Sequence, residues 1–450
     1  MSTETFIEHG GETSSNTMRQ NLAATEPLCI RTKTTSMCVI SHSAGSYHFT
    51  SEGRELADFS SGVLVSNLGH NPRSWWARLM KYMKLEDATG SEGFADAVPL
   101  TTYNAVSEVE VLANQRLLKS MQSVAGGARM EQVLWSASGS EAVQKALWAS
   151  MARREGEDII LATRGGFHGK KGLAGAVTGS EQDKERDPRV RFISFPKDEC
   201  ASFQRRQEPI DLAPYRKELD ELHAELGNRI CCLITEPYLG GGGSYHPQPE
   251  YLQMLQAFCR EHDILFILDE IQSNFGRTGE MYAYTHYGIE PDIVTLGKGM
   301  GNGIPVDAAV GRKDVFANLG YGEGSDTWSA HPIGCAAVLA TLDEFEENNV
   351  VDAAEPLEKL IEEQLQRLTE LPVINTFRGE GTVWGLECQD DETAHEVVRL
   401  CYLGDEDGTA IHLLGPLAGK VIRIAPPLNM PVDEAKAHFD AMYNIISRMT

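Results

Sequence analysis

Four short stretches of the chain hold residues that could do chemistry together. The apolar run ILFILDEIQ ends in Asp269 and Glu270, directly after a strand, where a carboxylate can face a ligand. Further along, DIVTLGKGMGNGIP sets Lys298 between Gly297 and Gly299, glycines that let backbone and ligand approach closely. A free lysine amine has a pKa of about 10.4, so it reacts near neutrality only when desolvated or condensed with a carbonyl compound. In QVLWSASGSEAVQKALWASMARREG the pattern is strand, turn, helix, with Ser138 and Glu141 as a capping box and Gly156 as a stop signal. Ser138, Gly139 and Ser140 thereby offer N–H groups and hydroxyls at a helix N-terminus, a natural phosphate site. GGFHGKKG adds Phe167 and His168 in a glycine-rich loop. Each also has an ordinary reading: a solvent-facing acidic pair, a solvated lysine, simple capping, a core phenylalanine, a structural histidine.

Strand ends must position these residues. Between about residues 100 and 340, β-rich runs at 132–135, 158–162, 191–195, 229–235, 264–268 and 292–296 alternate with helical patterns. EYLQMLQAFCREH puts Leu252, Leu255, Phe258 and Cys259 on one helical face, behind a first-turn Pro249. The alternation predicts a mostly parallel sheet covered on both faces, with ligands at the carboxyl ends of its strands. From about Glu344 an acidic helix opens a second, smaller domain. The expected organisation is a flexible N-terminal arm over 1–25, the N-terminal part of the small domain over 26–75, a large domain over 76–340 and the C-terminal small domain over 341–450.

Composition narrows the function. The 450 residues carry 40 Lys+Arg against 65 Asp+Glu, a formal charge of −25, with no basic run. Nucleic acid and anionic membrane surfaces are therefore disfavoured as partners. No G-x-x-x-x-G-K-[ST] supplies an NTPase phosphate cradle, and no G-x-G-x-x-G supplies a dinucleotide site. Nine cysteines, an odd count without a C-x-x-C pair, read as reduced thiols. The longest aliphatic or aromatic stretch, 264–268, is far short of the roughly 20 residues that span a membrane. The N-terminus lacks the basic and apolar regions of a leader, so a cytoplasmic enzyme is expected.

In this order, phosphate cup, aromatic, strand-end aspartate and glycine-flanked lysine are the parts that hold pyridoxal 5′-phosphate. The chain resembles the class III, or ω-, aminotransferases of the fold-type-I superfamily from about Tyr47 onward. LDEIQSNFGRTG followed by DIVTLGKGMGNGIPVDAAVGR carries the resemblance most specifically. It implies an α/β fold: a large domain with a mostly parallel, seven-stranded type of sheet covered by helices, plus a smaller α+β domain. It makes Lys298 the Schiff-base lysine and Asp269 the pyridinium partner. Gln272 would lie near the ring hydroxyl, Phe167 on the ring, and Ser138, Gly139 and Ser140 at the phosphate. His168 and Glu236 would join the cofactor-binding set. Thr327, in SDTWSAHPIGCAAVLA, would serve the phosphate of a neighbouring subunit, implying a homodimer or dimer of dimers. VIRIAPPLNM places the substrate-carboxylate arginine at Arg423. No metal is expected.

The implied activity is a pyridoxal-phosphate-dependent transaminase. It would move an amino group from an amine or (ω-)amino acid to an α-keto acid, pyruvate or 2-oxoglutarate, by a ping-pong Schiff-base mechanism. The same motifs would serve an aminomutase, an amino-acid racemase or epimerase, or a dialkylglycine-type decarboxylase. A catalytically degenerate binding protein is the non-enzymatic alternative. Two departures bear on the donor. TEPYLGGGGS puts Gly241 where ornithine- and aminobutyrate-type members have a gating glutamate, and Val63 stands where ornithine-type members place a tyrosine. Both argue against ornithine. Residues 328–331 also differ from the common F-G-G-N and are expected to reshape the pocket entrance.

Overall fold

The computed structural model describes residues 7–30, 32, 34–90, 92–179 and 187–449. Its chain forms two compact units, residues 73–353 and residues 1–72 with 354–450. The first is built on seven strands: β1 Gln132–Ser136, β2 Ile159–Thr163, β3 Val190–Ile193, β4 Ile230–Thr235, β5 Leu265–Asp269, β6 Ile293–Leu296 and β7 Asp307–Gly311. Their order across the sheet is β1-β7-β6-β5-β4-β2-β3. From β3 to β6 all neighbours are parallel, while β7 runs antiparallel to both β6 and β1. Every residue of β2, β4, β5 and β6 is buried, which is why these strands read as continuous apolar runs.

Helix α1, Gly139–Met151, lays Val143, Ala146 and Leu147 into the core of this sheet. Helix α2, Pro249–Glu261, buries Leu252, Leu255, Phe258 and Cys259, the face its periodicity predicts. The six runs read from the sequence coincide with β1 to β6. β7 escaped that reading because DAAVG is short, opens on a charge and shows neither alternation nor a bulky apolar run. α1 stops at Met151, ahead of Gly156, which instead turns the chain afterwards at a φ of 86°. The expected boundary at 340/341 falls inside the helix Pro332–Asn348, where Val338, Leu339, Leu342 and Phe345 are buried, so this unit continues beyond it.

The other unit holds two four-stranded sheets. In one, Ile40–Ala44, Tyr47–Thr50 and Glu55–Asp58 form an antiparallel meander, and Ile411–His412 joins Glu55–Asp58 in parallel. The second is antiparallel, from Ile374–Glu380 through Val383–Cys388 and Val421–Ile424 to Leu414–Ala418. Residues 1–6 of the expected arm lie outside the described residues. The rest differs from expectation, since Thr13–Thr25 is a helix. It is held by Glu12, whose buried carboxylate meets Arg19 at 2.7 Å and the Tyr402 hydroxyl at 2.8 Å. Buried charges persist only when paired, and the helix brings Arg19 to its partner. Among the described residues no helix is long and apolar enough to cross a membrane.

Replacing Glu12 by alanine leaves the Arg19 guanidinium buried without its carboxylate. The expected cost is about 3 kcal/mol, read as a lower unfolding midpoint together with faster proteolysis of the Thr13–Thr25 helix.

Candidate active site

β5 ends on Asp269, and in register beside it β6 carries Thr295 and leads through Gly297 to Lys298. Asp269 is only 4% exposed. Its Oδ2 lies 2.7 Å from His168 Nδ1, while Oδ1 accepts from Thr295 Oγ1 at 2.8 Å and from the Ile271 N–H at 3.1 Å. These bonds satisfy a carboxylate that burial would otherwise make costly, and they fix its aim. His168 is itself buried, and its Nε2 has no hydrogen-bond partner among the described residues.

Glu236, just past β4, accepts the N–H of Phe167 at 2.8 Å and of Gly240 at 3.2 Å, tying the two glycine-rich loops together. Burial pushes its pKa up to about 7, partly opposed by His168. Phe167 remains 43% exposed, leaving part of its side chain free to meet a planar ligand. Gln272 Oε1 accepts from the Tyr238 hydroxyl at 3.1 Å. A Cβ on Gly240 would sit 2.0 Å from that oxygen, so glycine there makes room for the amide.

The expected capping box forms in part. Ser138 Oγ accepts the Glu141 N–H at 3.4 Å, and Glu141 Oε2 accepts the Ala137 N–H at 3.0 Å. Gly139 passes close under Ile271, and the loop at Gly169 packs onto Ser140 Oγ. Thr327 is exposed on a turn anchored by the buried Lys145. That ammonium bonds the Trp135 carbonyl at 2.6 Å, Asp326 at 2.7 Å and Ser329 at 2.8 Å. Arg423 belongs to the other unit, buried on the strand Val421–Ile424 opposite Gly385.

Sequence reasoning passed over one carboxyl. Asp307, at the head of β7, reaches the lysine loop: a Cβ on Gly297 would lie 1.9 Å from its Oδ1. Burial pushes Asp307 up to about 7, against the pull of the Lys298 charge. The only signal was one acid inside the apolar stretch IPVDAAVG. Lys298 itself has a φ of 48°, a conformation that side chains seldom adopt and that marks functional sites. Glu270 does not face solvent, as the ordinary reading of the acidic pair had it. It is fully buried and accepts the N–H groups of Ala283 and Tyr284, both at 2.7 Å. Burial nonetheless pushes its pKa up to about 8.

Because Glu270 holds a proton more tightly folded than unfolded, the stability tied to it is complete below about pH 4 and is lost as pH rises through about 8. Urea midpoints measured from pH 6 to 9 should fall, and Glu270→Gln should flatten that fall. Gly297→Ala should abolish cofactor retention by driving a methyl into Asp307, and a second change, Asp307→Gly, should restore it. Equal damage in the double variant would contradict that packing.

The residues fit pyridoxal 5′-phosphate. A helix N-terminus stands ready for the phosphate, a fixed carboxylate for the ring nitrogen, a partly exposed aromatic side chain for the ring and a lysine for the aldehyde. The family described as Aminotransferase class-III matches residues 29–446. An acetylornithine aminotransferase from Methanothermobacter thermautotrophicus is 29% identical over 93% of this chain and 96% of its own length. An ornithine aminotransferase from Emericella nidulans is 32% identical over 63% of this chain, which spans 61% of that relative's length. The crystal structure of an amine transaminase from an uncultivated Pseudomonas species, in its PLP-bound form, superposes with a TM-score of 0.76 at 26% identity over 100% of both chains. With this site on this fold, the chain belongs to the class-III aminotransferases, pyridoxal-phosphate-dependent transaminases of fold type I.

Proposed function

We propose that the enzyme moves an amino group from an amine or ω-amino acid to an α-keto acid, pyruvate or 2-oxoglutarate, in two half-reactions at one site. The observation that carries this reading is the buried Asp269, fixed by three donors at the end of β5, one strand away from Lys298. When bound, pyridoxal phosphate supplies an aldehyde for the amine and a ring that draws electrons from the substrate carbon. Asp269 keeps a proton on the ring nitrogen. Ser138, Gly139 and Ser140 bind the phosphate, Phe167 covers the ring, and Gln272 reaches its hydroxyl. Glu236 and His168 hold Phe167 and Asp269 in place. With the cofactor bound, Lys298 Nζ would act as general acid and base, carrying a proton between the substrate carbon and the cofactor's aldehyde carbon.

Arg423 holds the carboxylate of the keto acid in its planar fork. Two positions support a donor other than ornithine, although relatives carry that name. A Cβ at Gly241 would lie 2.9 Å from the Phe167 Cβ, so the loop is built for glycine there and offers no gating carboxylate. Val63 stands at a φ of 71° in the turn Ser61–Leu64 and lacks the reach of a tyrosine. Thr327 serves a neighbouring subunit's phosphate, making the working form a homodimer or dimer of dimers. The exposed Tyr321 and Trp328 beside it support a surface that a second chain covers. Nine free cysteines support a cytoplasmic location.

A panel of diamines, ω-amino acids and α-amino acids against pyruvate and 2-oxoglutarate, followed by cofactor absorbance, tests this reading. Lys298→Ala should lose the lysine-linked absorbance and all turnover, and a variant with full turnover would overturn the assignment. Arg423→Ala should raise KM for the keto acid about ten- to hundredfold, matching roughly 1.5–3 kcal/mol of charge-assisted bonding. Its half-reaction with a simple amine should be unchanged.

A further inference from the structure

The unit formed by residues 1–72 and 354–450 contains a cluster that includes none of the proposed cofactor residues. His48 lies on the strand Tyr47–Thr50 and Asp58 ends the strand Glu55–Asp58. His412 comes from Ile411–His412, directly opposite Asp58 in the parallel pairing. One ligand atom from each of His48, Asp58 and His412 lies within 4.8 Å of the others. We propose that these three residues bind a divalent first-row transition cation, zinc foremost, which pins the strand Ile411–His412 to the N-terminal meander.

Three observations support the assignment. The ligand set is two imidazoles and a carboxylate, which suits zinc and its neighbours and not calcium or magnesium, whose sites are built from oxygens. The groups behind the ligands are already in place. Ser43 Oγ holds His48 Nδ1 at 2.7 Å, which turns His48 Nε2 toward Asp58, 3.5 Å from its Oδ2. Asp58 Oδ1 accepts from the Ser60 N–H at 2.7 Å and from Ser60 Oγ at 2.6 Å, while His70 Nε2 approaches Oδ2 at 2.7 Å. Such outer contacts fix the tautomer and aim of metal ligands. Finally, His412 Nδ1 is buried and has no hydrogen-bond partner among the described residues, a cost that a bound cation would remove. The zinc–ligand distances of roughly 2.0–2.2 Å require the three atoms to draw together, with water in the fourth position. His412 also lines a cleft of about 550 Å³ with Met18, Ser36, Cys38 and Leu414. The sequence reading expected no metal. The ligands come from opposite ends of the chain, so no spacing motif announces them.

The test uses untagged, cofactor-loaded enzyme, stripped with a chelator and titrated with cobalt. One equivalent per chain should bind with visible d–d absorption in the difference spectrum, raise the unfolding midpoint and be displaced by zinc. His412→Gln and, separately, His48→Gln should weaken binding at least about tenfold while the cofactor absorbance stays. Zinc-edge X-ray absorption on the unaltered chain covers the case in which a variant does not fold, and should show a nitrogen and oxygen shell containing two imidazoles. Absence of stoichiometric binding, binding undiminished in both variants, or a shell containing sulfur would overturn the proposal.

Discussion

One carboxylate governs the architecture of this site. Asp269 is buried at a strand end, and a buried carboxylate is tolerated only when donors surround it. Its donors come from three places: the neighbouring strand gives Thr295, the chain just beyond gives Ile271, and a distant loop gives His168. The parallel pairing of β5 with β6 sets Thr295 opposite Asp269 and so fixes where Lys298 emerges. The loop that delivers His168 also delivers Phe167, and Glu236 closes it by accepting the Phe167 N–H. A change to any of these strands would therefore move the aspartate, the aromatic and the lysine together.

Close packing does the rest. Gly139, Gly240 and Gly297 are places where a methyl group would strike Ile271, Gln272 and Asp307 respectively. Their role is proximity more than flexibility, since at none of the three is the backbone left-handed. The antiparallel β7 contributes through its first residue, which sets an acid beside the lysine loop. Glu270 shows the same economy on the other side of the strand end. It anchors the N-terminus of Ala283–His286 while its neighbour faces the site, so adjacent acids in one motif have separate tasks.

Much of this was legible in the amino-acid order, because it is encoded locally. Strands buried on both faces must be unbroken apolar runs, and the residues that follow them are few enough to inspect one by one. A capping box is a four-residue pattern, and Ser138 caps the Glu141 N–H as that spacing requires, while the Glu141 carboxylate takes the neighbouring Ala137 N–H. The flanking glycines marked Lys298 in the same way. Local reading failed where the partner lies far along the chain. Nothing near Glu12 shows that Arg19 and Tyr402 will bury it, so the segment after it reads as a polar arm although it folds as a helix.

By itself the sequence determined the α/β class and the family, and it singled out Lys298 and Asp269 as candidates, since motif and strand periodicity are properties of contiguous residues. Tertiary structure alone decided which carboxyls are buried, that Asp307 enters beside the lysine, and that His48, Asp58 and His412 meet. Sheet register joins segments from opposite ends of the chain, and no local pattern records which distant strand will lie alongside.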